Sequence, residues 1–521
     1  MNKPLLLSLA TITMLGTSLN ADSMFDRFNA MELEMDKLKQ EVATLKSEKK
    51  LTQQDDESEL SDETEAIASD ADDSEEEAEE EAEEEEDEKM NVEEEIEEIY
   101  ENLSDLNKAT SGNHLKLSVD YRFTLENLQY KMADGSTQSN DAFMTNRFWL
   151  NMNWAATKNL SFTGQLAYNK AFGARSGAQG NPANGFDTFD WIANENAYDD
   201  TLRIRAAYFL YRNDTFFETD VPWTFSIGRR PSTNGHLINL RDDDPEASPM
   251  GHSINVEFDG LSSKFNFENV IGVDGMYIKL CAGRGMSNAA PKFNSAPYAQ
   301  VDSANSSIDL LGIIFRPYSD GQYSVSTQYY FANNLIDMDM VNGGMKTVGG
   351  IHSFTGNILI NGIGNEINDF LDDTIFFASG AISITDPNES GGGMLGSTES
   401  QTGYSAWIGV QTPSLISEDG RMGFEYNKGS AYWRSITYGE DTNIGSKVAA
   451  RGDAYEAYFT EYLVDDILSL QLRYTYIDYK YTGSNGFFGS TSGKSQLISN
   501  LNSPQVVDTA QDIRFYLRYK Y

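Results

Sequence analysis

The sequence predicts an all-β fold: a transmembrane antiparallel β-barrel of about sixteen strands, or alternatively eighteen, preceded by a coiled coil and an acidic linker. Three observations predict it. From His114 onward apolar and polar residues alternate, the period of a strand with two unlike faces. Leu115, Leu117, Val119, Tyr121, Phe123 and Leu125 take one face, while Lys116, Ser118, Asp120, Arg122, Thr124 and Glu126 take the other. Next, every second connection is compact ("AATKN", "PYSDGQ", "PSLISEDG", "VDD"), whereas 171–201, 285–306, 429–451 and 481–511 are long. Short turns on one rim and long loops on the other belong to a membrane barrel, and a soluble sandwich has no reason for them. Lastly, the ending "DIRFYLRYKY" sets an amphipathic strand against the last residue, where most domains fray. A barrel needs such a strand to close on the first, because an open edge in lipid leaves backbone groups unsatisfied.

Taken in order, residues 1–21 read as a signal peptide, with Lys3, an apolar run from Leu5 to Leu15, and Ala21 at the cut. Residues 22–50 follow as a coiled coil. Met24, Phe28, Met31, Met35, Leu38, Val42 and Leu45 form its seam, and the pairs Glu34–Lys39 and Glu41–Lys46 suit parallel chains. Residues 51–91 are an acidic, solvated linker, and 92–111 a short helical neck with Val92, Ile96, Ile99, Leu103 and Leu106 as its seam. The barrel occupies 112–521. Its strands are expected near 114–128, 142–154, 160–170, 202–212, 223–230, 252–258, 274–284, 307–316, 322–332, 351–360, 374–384, 403–412, 421–428, 452–462, 467–480 and 512–521. The 28 Phe, 27 Tyr and 6 Trp agree with strands rather than Leu-rich helices.

The charge of −42 is uneven, since residues 55–101 hold 28 acids against one Lys. No basic face is available for phosphate neutralisation, so nucleic acid is not an expected partner. Cys281 stands alone and forms no internal disulfide. The four histidines, His114, His236, His252 and His352, lack metal-ligand spacing. No nucleophile elbow occurs. "GSTSGKS" (489–495) is one residue short of a phosphate loop, and "DMDMVNGG" (337–344) lacks the later carboxylate of a calcium loop. No enzyme, cofactor or metal is expected.

The ending also resembles the C-terminal signal of bacterial outer-membrane proteins, with Phe515, Leu517, Tyr519 and Tyr521 at alternate positions. That resemblance implies a barrel in outer-membrane lipid whose last strand is read by the outer-membrane assembly machinery, with the N-terminal segment in the periplasm. The stretch "GRRPSTNGHLINLRDDDPEASPMG" (228–251) resembles a hallmark of an uncharacterised family of porin-like proteins that start with a signal and a coiled coil. In general porins the loop at this point folds into the barrel. By resemblance it is the candidate constriction, with Arg229, Arg230 and Arg241 against Asp242, Asp243, Asp244 and Glu246. Arg203 and Arg205 have inward parity, as do Arg122, Arg147, Arg473, Arg514 and Arg518, and would set a cationic wall opposite the loop acids. Trimeric porins imply a homotrimer held through the coiled coil. The expected function is passive diffusion of small hydrophilic solutes or ions past this charged loop. The alternative is a structural outer-membrane anchor whose coil and spacer bridge the periplasm.

Overall fold

A computed structural model describes residues 115–521 apart from 173–201, 231–234, 287–306, 339–344, 365–366, 389–392, 438–439, 441 and 484–494. The expected signal peptide, coiled coil, linker and neck lie outside the described residues, as do most of 337–344 and 489–495. Among the described residues sixteen antiparallel strands close into one barrel, so the alternative of eighteen is not realised. They are β1 (Leu115–Met132), β2 (Thr137–Ala155), β3 (Leu160–Ala171), β4 (Arg203–Asn213), β5 (Trp223–Arg230), β6 (Phe258–Asn266), β7 (Tyr277–Met286) and β8 (Ile308–Ser319). The second half comprises β9 (Tyr323–Met338), β10 (Met345–Asn361), β11 (Ile375–Pro387), β12 (Thr402–Pro413), β13 (Arg421–Gly429), β14 (Gly452–Val464), β15 (Leu468–Tyr479) and β16 (Val507–Lys520).

Closure falls where the sequence places it. Strand β16 pairs with β1 in a register that sets Tyr519 opposite Tyr121, Leu517 opposite Phe123 and Phe515 opposite Leu125. The seam continues to the last residue, because Val119 N donates to Tyr521 O at 2.6 Å and Tyr521 N to Val119 O at 2.9 Å. Each wall strand sorts its side chains by chemistry. On β16, Ile513 and Tyr519 are exposed on the outer face, while Asp512, Arg514, Tyr516 and Arg518 are buried inside. On β12, Tyr404 and Ile408 look out, and Ser405, Trp407 and Gln411 look in. Lipid solvates the first set, and the polar set has only the barrel interior for its hydrogen bonds.

Turn chemistry sets the connections. Between β8 and β9, Asp320 Oδ1 accepts from Tyr323 N at 2.6 Å and Gln322 N at 2.9 Å, and Gly321 takes a φ of 98° that a side chain would resist. Between β10 and β11 a one-turn helix, Asp369–Asp372, is capped by Asn368, which accepts from Leu371 N at 2.9 Å.

One expected strand is corrected. Residues 252–258 are not a wall strand; the sixth strand is Phe258–Asn266. Gly251, His252, Ser253, Ile254 and Asn255 are all buried inside the barrel, and Ile254–Asn255 pairs in parallel with Ile436–Thr437 from the β13–β14 loop. The segment is sandwiched between the β13–β14 loop and the inner face of the wall, where Ser253 meets Gln328 and Thr355 and Ile254 packs with Tyr330 and Ile351, and that two-sided burial mimics the period of a half-buried strand.

Candidate functional site

The β5–β6 connection does not stay on the rim. Leu237 and Ile238 are buried with Phe377, Trp407 and Val448. Beyond them a one-turn helix, Ile238–Arg241, carries the chain to the far wall. Two wall glutamines hold its carbonyls: Gln411 donates to Leu240 O at 2.9 Å and Gln471 to Arg241 O at 3.0 Å. Gly423 leaves room for that wall. A Cβ there would sit 2.1 Å from the ring of Tyr458, whose hydroxyl accepts from Gln411 at 3.0 Å.

Charge then fastens the loop. Arg241, fully buried, donates to Glu456 Oε1 at 3.0 Å and to the Glu440 carbonyl. Asp242 accepts from the Tyr516 hydroxyl at 3.0 Å. Arg518 grips Asp120 with two bonds, 2.7 and 3.1 Å, and reaches Asp244 Oδ1 at 2.8 Å and the Asp242 carbonyl at 3.0 Å. Asp243 is more exposed and meets Arg421 at 2.9 Å and the Tyr462 hydroxyl at 2.8 Å. A second loop, 430–451, packs beside it. Its Lys447 lies 2.7 Å from Glu425 and bonds Glu456, and Trp433, Val448 and Ala450 are fully buried.

His252 is a neutral spacer in this packing. Ser405 spends its hydrogen on Asn427 Oδ1 at 2.9 Å, so it accepts from His252 Nε2–H, also at 2.9 Å. Nδ1 is then the acceptor for Ser379, at 2.8 Å. Full burial pushes the imidazole pKa down to about 3.

Opposite the fastened loop, a cavity of about 560 Å³ runs along the wall formed by β1 to β9. Polar side chains line it, among them Asn151, Gln165 and Tyr208, together with Arg230, Glu246 and Lys279. Of the nine pore candidates, then, Arg230 and Glu246 face this space. Glu246 is engaged by Arg316 and lies 3.4 Å from His236 Nδ1. Arg230 stacks over the Tyr208 ring at 4.5 Å. Arg229 turns to the strand ends, pairing with Glu257 at 2.8 Å and Asp259 at 3.4 Å. Arg205 lies 3.5 Å from Glu257, 2.5 Å from Gln165 and over the Trp149 ring at 4.0 Å. Arg203 is exposed at the start of β4. Phe515, Leu517 and Tyr519 belong to the outer face of the closing strand, and Tyr521 is exposed at its end.

Sequence reasoning missed Lys279, Lys447, Glu425, Glu440 and Glu456. Lys279 was recoverable, since Tyr277, Lys279 and Cys281 alternate with Ile278, Leu280 and Ala282. The partners of the others depend on two loops meeting inside the barrel. Among the described residues no group of three His, Cys, Asp or Glu is placed to hold a metal ion.

Fold and loop together define a membrane-spanning porin-like β-barrel with loops folded into its lumen. The chain belongs to the family described as "Protein of unknown function (DUF3373)", matched over residues 137–521. Among solved structures it is similar to OmpT, an outer membrane protein of Vibrio cholerae, at 12% identity over 78% of this chain and 97% of that one, with a TM-score of 0.41. It is similar to Salmonella typhi OmpF in complex with daunomycin at 11% identity, 79% and 99% coverage and a TM-score of 0.43. An anion-selective porin from Comamonas acidovorans shares 9% identity over 78% and 99%, with a TM-score of 0.43. No curated protein sequence matches the chain.

Proposed function

We propose that this chain is a passive diffusion channel of a Gram-negative outer membrane, passing small hydrophilic solutes or ions and filtering them beside the in-folded β5–β6 loop. One observation carries the reading. The loop is bound to β12–β16 by Gln411, Glu456, Gln471 and Arg518, and between it and the opposite wall lies a cavity whose partly apolar lining carries Arg230, Glu246 and Lys279. A barrel serving only as an anchor gains nothing from a lumen divided this way. In this reading Arg241, Asp242, Asp243 and Asp244 set the loop's position. Arg230 and Glu246, with Lys279, supply the field that solutes meet, and Arg203, Arg205 and Arg229 act nearer the strand ends. The field at the narrowest part outweighs distant loop charge, because screening confines it to about 8 Å at physiological salt.

The rest of the chain fits the same reading. The N-terminal coil stands in the periplasm and ties three protomers together, and the outer-membrane assembly machinery reads the strand ending Phe515, Leu517, Tyr519, Tyr521. Liposome swelling tests the channel. Vesicles carrying the folded protein should swell in isosmotic small sugars at rates that fall as the sugar grows. Vesicles that stay impermeable while the protein migrates as a folded, heat-modifiable barrel would favour the anchor.

A further inference from the structure

We propose that the open half of the lumen carries a binding step for small oxyanions, carboxylates or phosphates, on Arg230 and Lys279. The proposal rests on the channel reading and names its solute class. The starting point is a sheet register that opposes like charges. On the inner face of the wall, Lys264 of β6 stands directly opposite Lys279 of β7. Like charges so placed destabilise a strand pair. Arg230 is within electrostatic range of Lys279 as well. Against these three cations and Arg316 stands Glu246, and Arg316 already engages it.

None of the three has a carboxylate partner among the described residues. Lys279 Nζ bonds the Ser248 hydroxyl at 2.5 Å, and Lys264 rests over the Tyr277 ring at 4.0 Å. Arg230 stacks on Tyr208 while its Nε and Nη2 find no acceptor among the described residues. Those two nitrogens form the guanidinium edge that takes a carboxylate or phosphate with paired bonds. The other half of the lumen shows what this sheet does with cations it keeps for structure. Arg241 is matched to Glu456 at 3.0 Å, Arg514 to Glu126 at 2.8 Å and Lys447 to Glu425 at 2.7 Å. Arg230 and Lys279 border a cavity of about 560 Å³, within the range of small-molecule sites. A solute bearing one or two oxyanion groups supplies the missing charge. It would reach Lys279 directly and Arg230 after a turn of the guanidinium from the Tyr208 face.

The lone cysteine is a built-in reporter, because Cys281 lines the same cavity two residues beyond Lys279. Purified full-length protein in detergent is treated with an anionic and a cationic methanethiosulfonate of similar size. The anionic reagent should react faster, and inorganic phosphate or succinate should protect Cys281 in a saturable way. In Arg230→Gln/Lys279→Gln, protection should weaken about tenfold or more, the loss of one charge-assisted hydrogen bond. Lys279→Arg should keep it, and heat-modifiable migration shows that each variant is folded. Protection by both anions, or by one alone, supports the site and sorts phosphate from carboxylate. No protection by either, or equal protection in the double variant, overturns it. Planar-bilayer conductance separates the two claims: saturable protection without conductance retires the channel and keeps the site, and conductance without protection does the reverse.

Discussion

Asp243 and Asp244 are neighbours of identical chemistry in different surroundings, and replacing each by Asn should give different channels. Asp244 has a side chain only 6% exposed and bonds Arg518 at 2.8 Å. Asp243 is 46% exposed and bonds Arg421 at 2.9 Å. Removing one partner of a buried pair costs about 3–5 kcal/mol when the other charge is stranded. Arg518 is not stranded, because Asp120 still holds it with two bonds. Asp244 also meets Lys520 at 3.2 Å, but that lysine is exposed and adds little, so the loss in Asp244→Asn is nearer that of one charged hydrogen bond, about 2 kcal/mol. If loop seating is two-state, that raises the unseated population about thirtyfold. In Asp243→Asn the amide oxygen can still accept from Tyr462, and the exposed Arg421 pair that is lost is worth under about 1 kcal/mol, less than a sixfold change. Single-channel recording reads the difference as flicker between conductance levels. Asp244→Asn should flicker far more than the parent, and Asp243→Asn should resemble it. Equal, parent-like traces from both variants would refute the latch, as would flicker confined to Asp243→Asn.

Tyr516→Phe removes the hydroxyl on Asp242 and should loosen the loop in the same flicker assay, less than Asp244→Asn does. Gly423→Ala drives a methyl into Tyr458; the temperature of heat-modifiable conversion should drop by several degrees, and an unchanged temperature would mean that the β14 wall yields. His252 has a folded pKa near 3, below its ordinary 6.5, so the unfolded chain binds the extra proton between those values. Its share of stability is complete above pH 6.5 and shrinks as pH falls, by about 2 kcal/mol at pH 5. Urea unfolding in micelles at pH 7 and 5 should show less of this loss in His252→Gln. Truncation of Phe515–Tyr521 removes the partners of β1 from Asp120 to Leu125 and should abolish heat-modifiable migration; a truncated chain that still shows it places the closing strand elsewhere.

The walls were legible because lipid and lumen demand opposite chemistry from adjacent residues. Strand β16 shows it: even Tyr516, which breaks the apolar alternation, points inward, and its hydroxyl explains why. What made Tyr516 unreadable was its partner, Asp242, 274 residues away. The misplaced sixth strand failed for a related reason. Gly251–Asn255 is buried between the inner wall and the β13–β14 loop rather than against lipid, and period two does not say which interior a residue faces. The loop acids were singled out by resemblance to the in-folded loop of general porins, but which of them meet wall bases follows from the path of the chain across the lumen. Asp242, Asp243 and Asp244 meet Tyr516, Arg421 and Arg518, while Glu246 is left beside the cavity. The inward parity of Lys279 could be read from its neighbours; its want of a carboxylate could not, since that is a property of every strand around it.

The central claim, a conducting lumen beside a fastened loop, is tested most directly by single-channel recording of the purified full-length protein in a planar bilayer. Discrete, long-lived conductance steps are expected, with a reversal potential in a salt gradient that shows anion preference and moves toward the cation side in Arg230→Gln/Lys279→Gln. A folded barrel that inserts and yields no steps would contradict it.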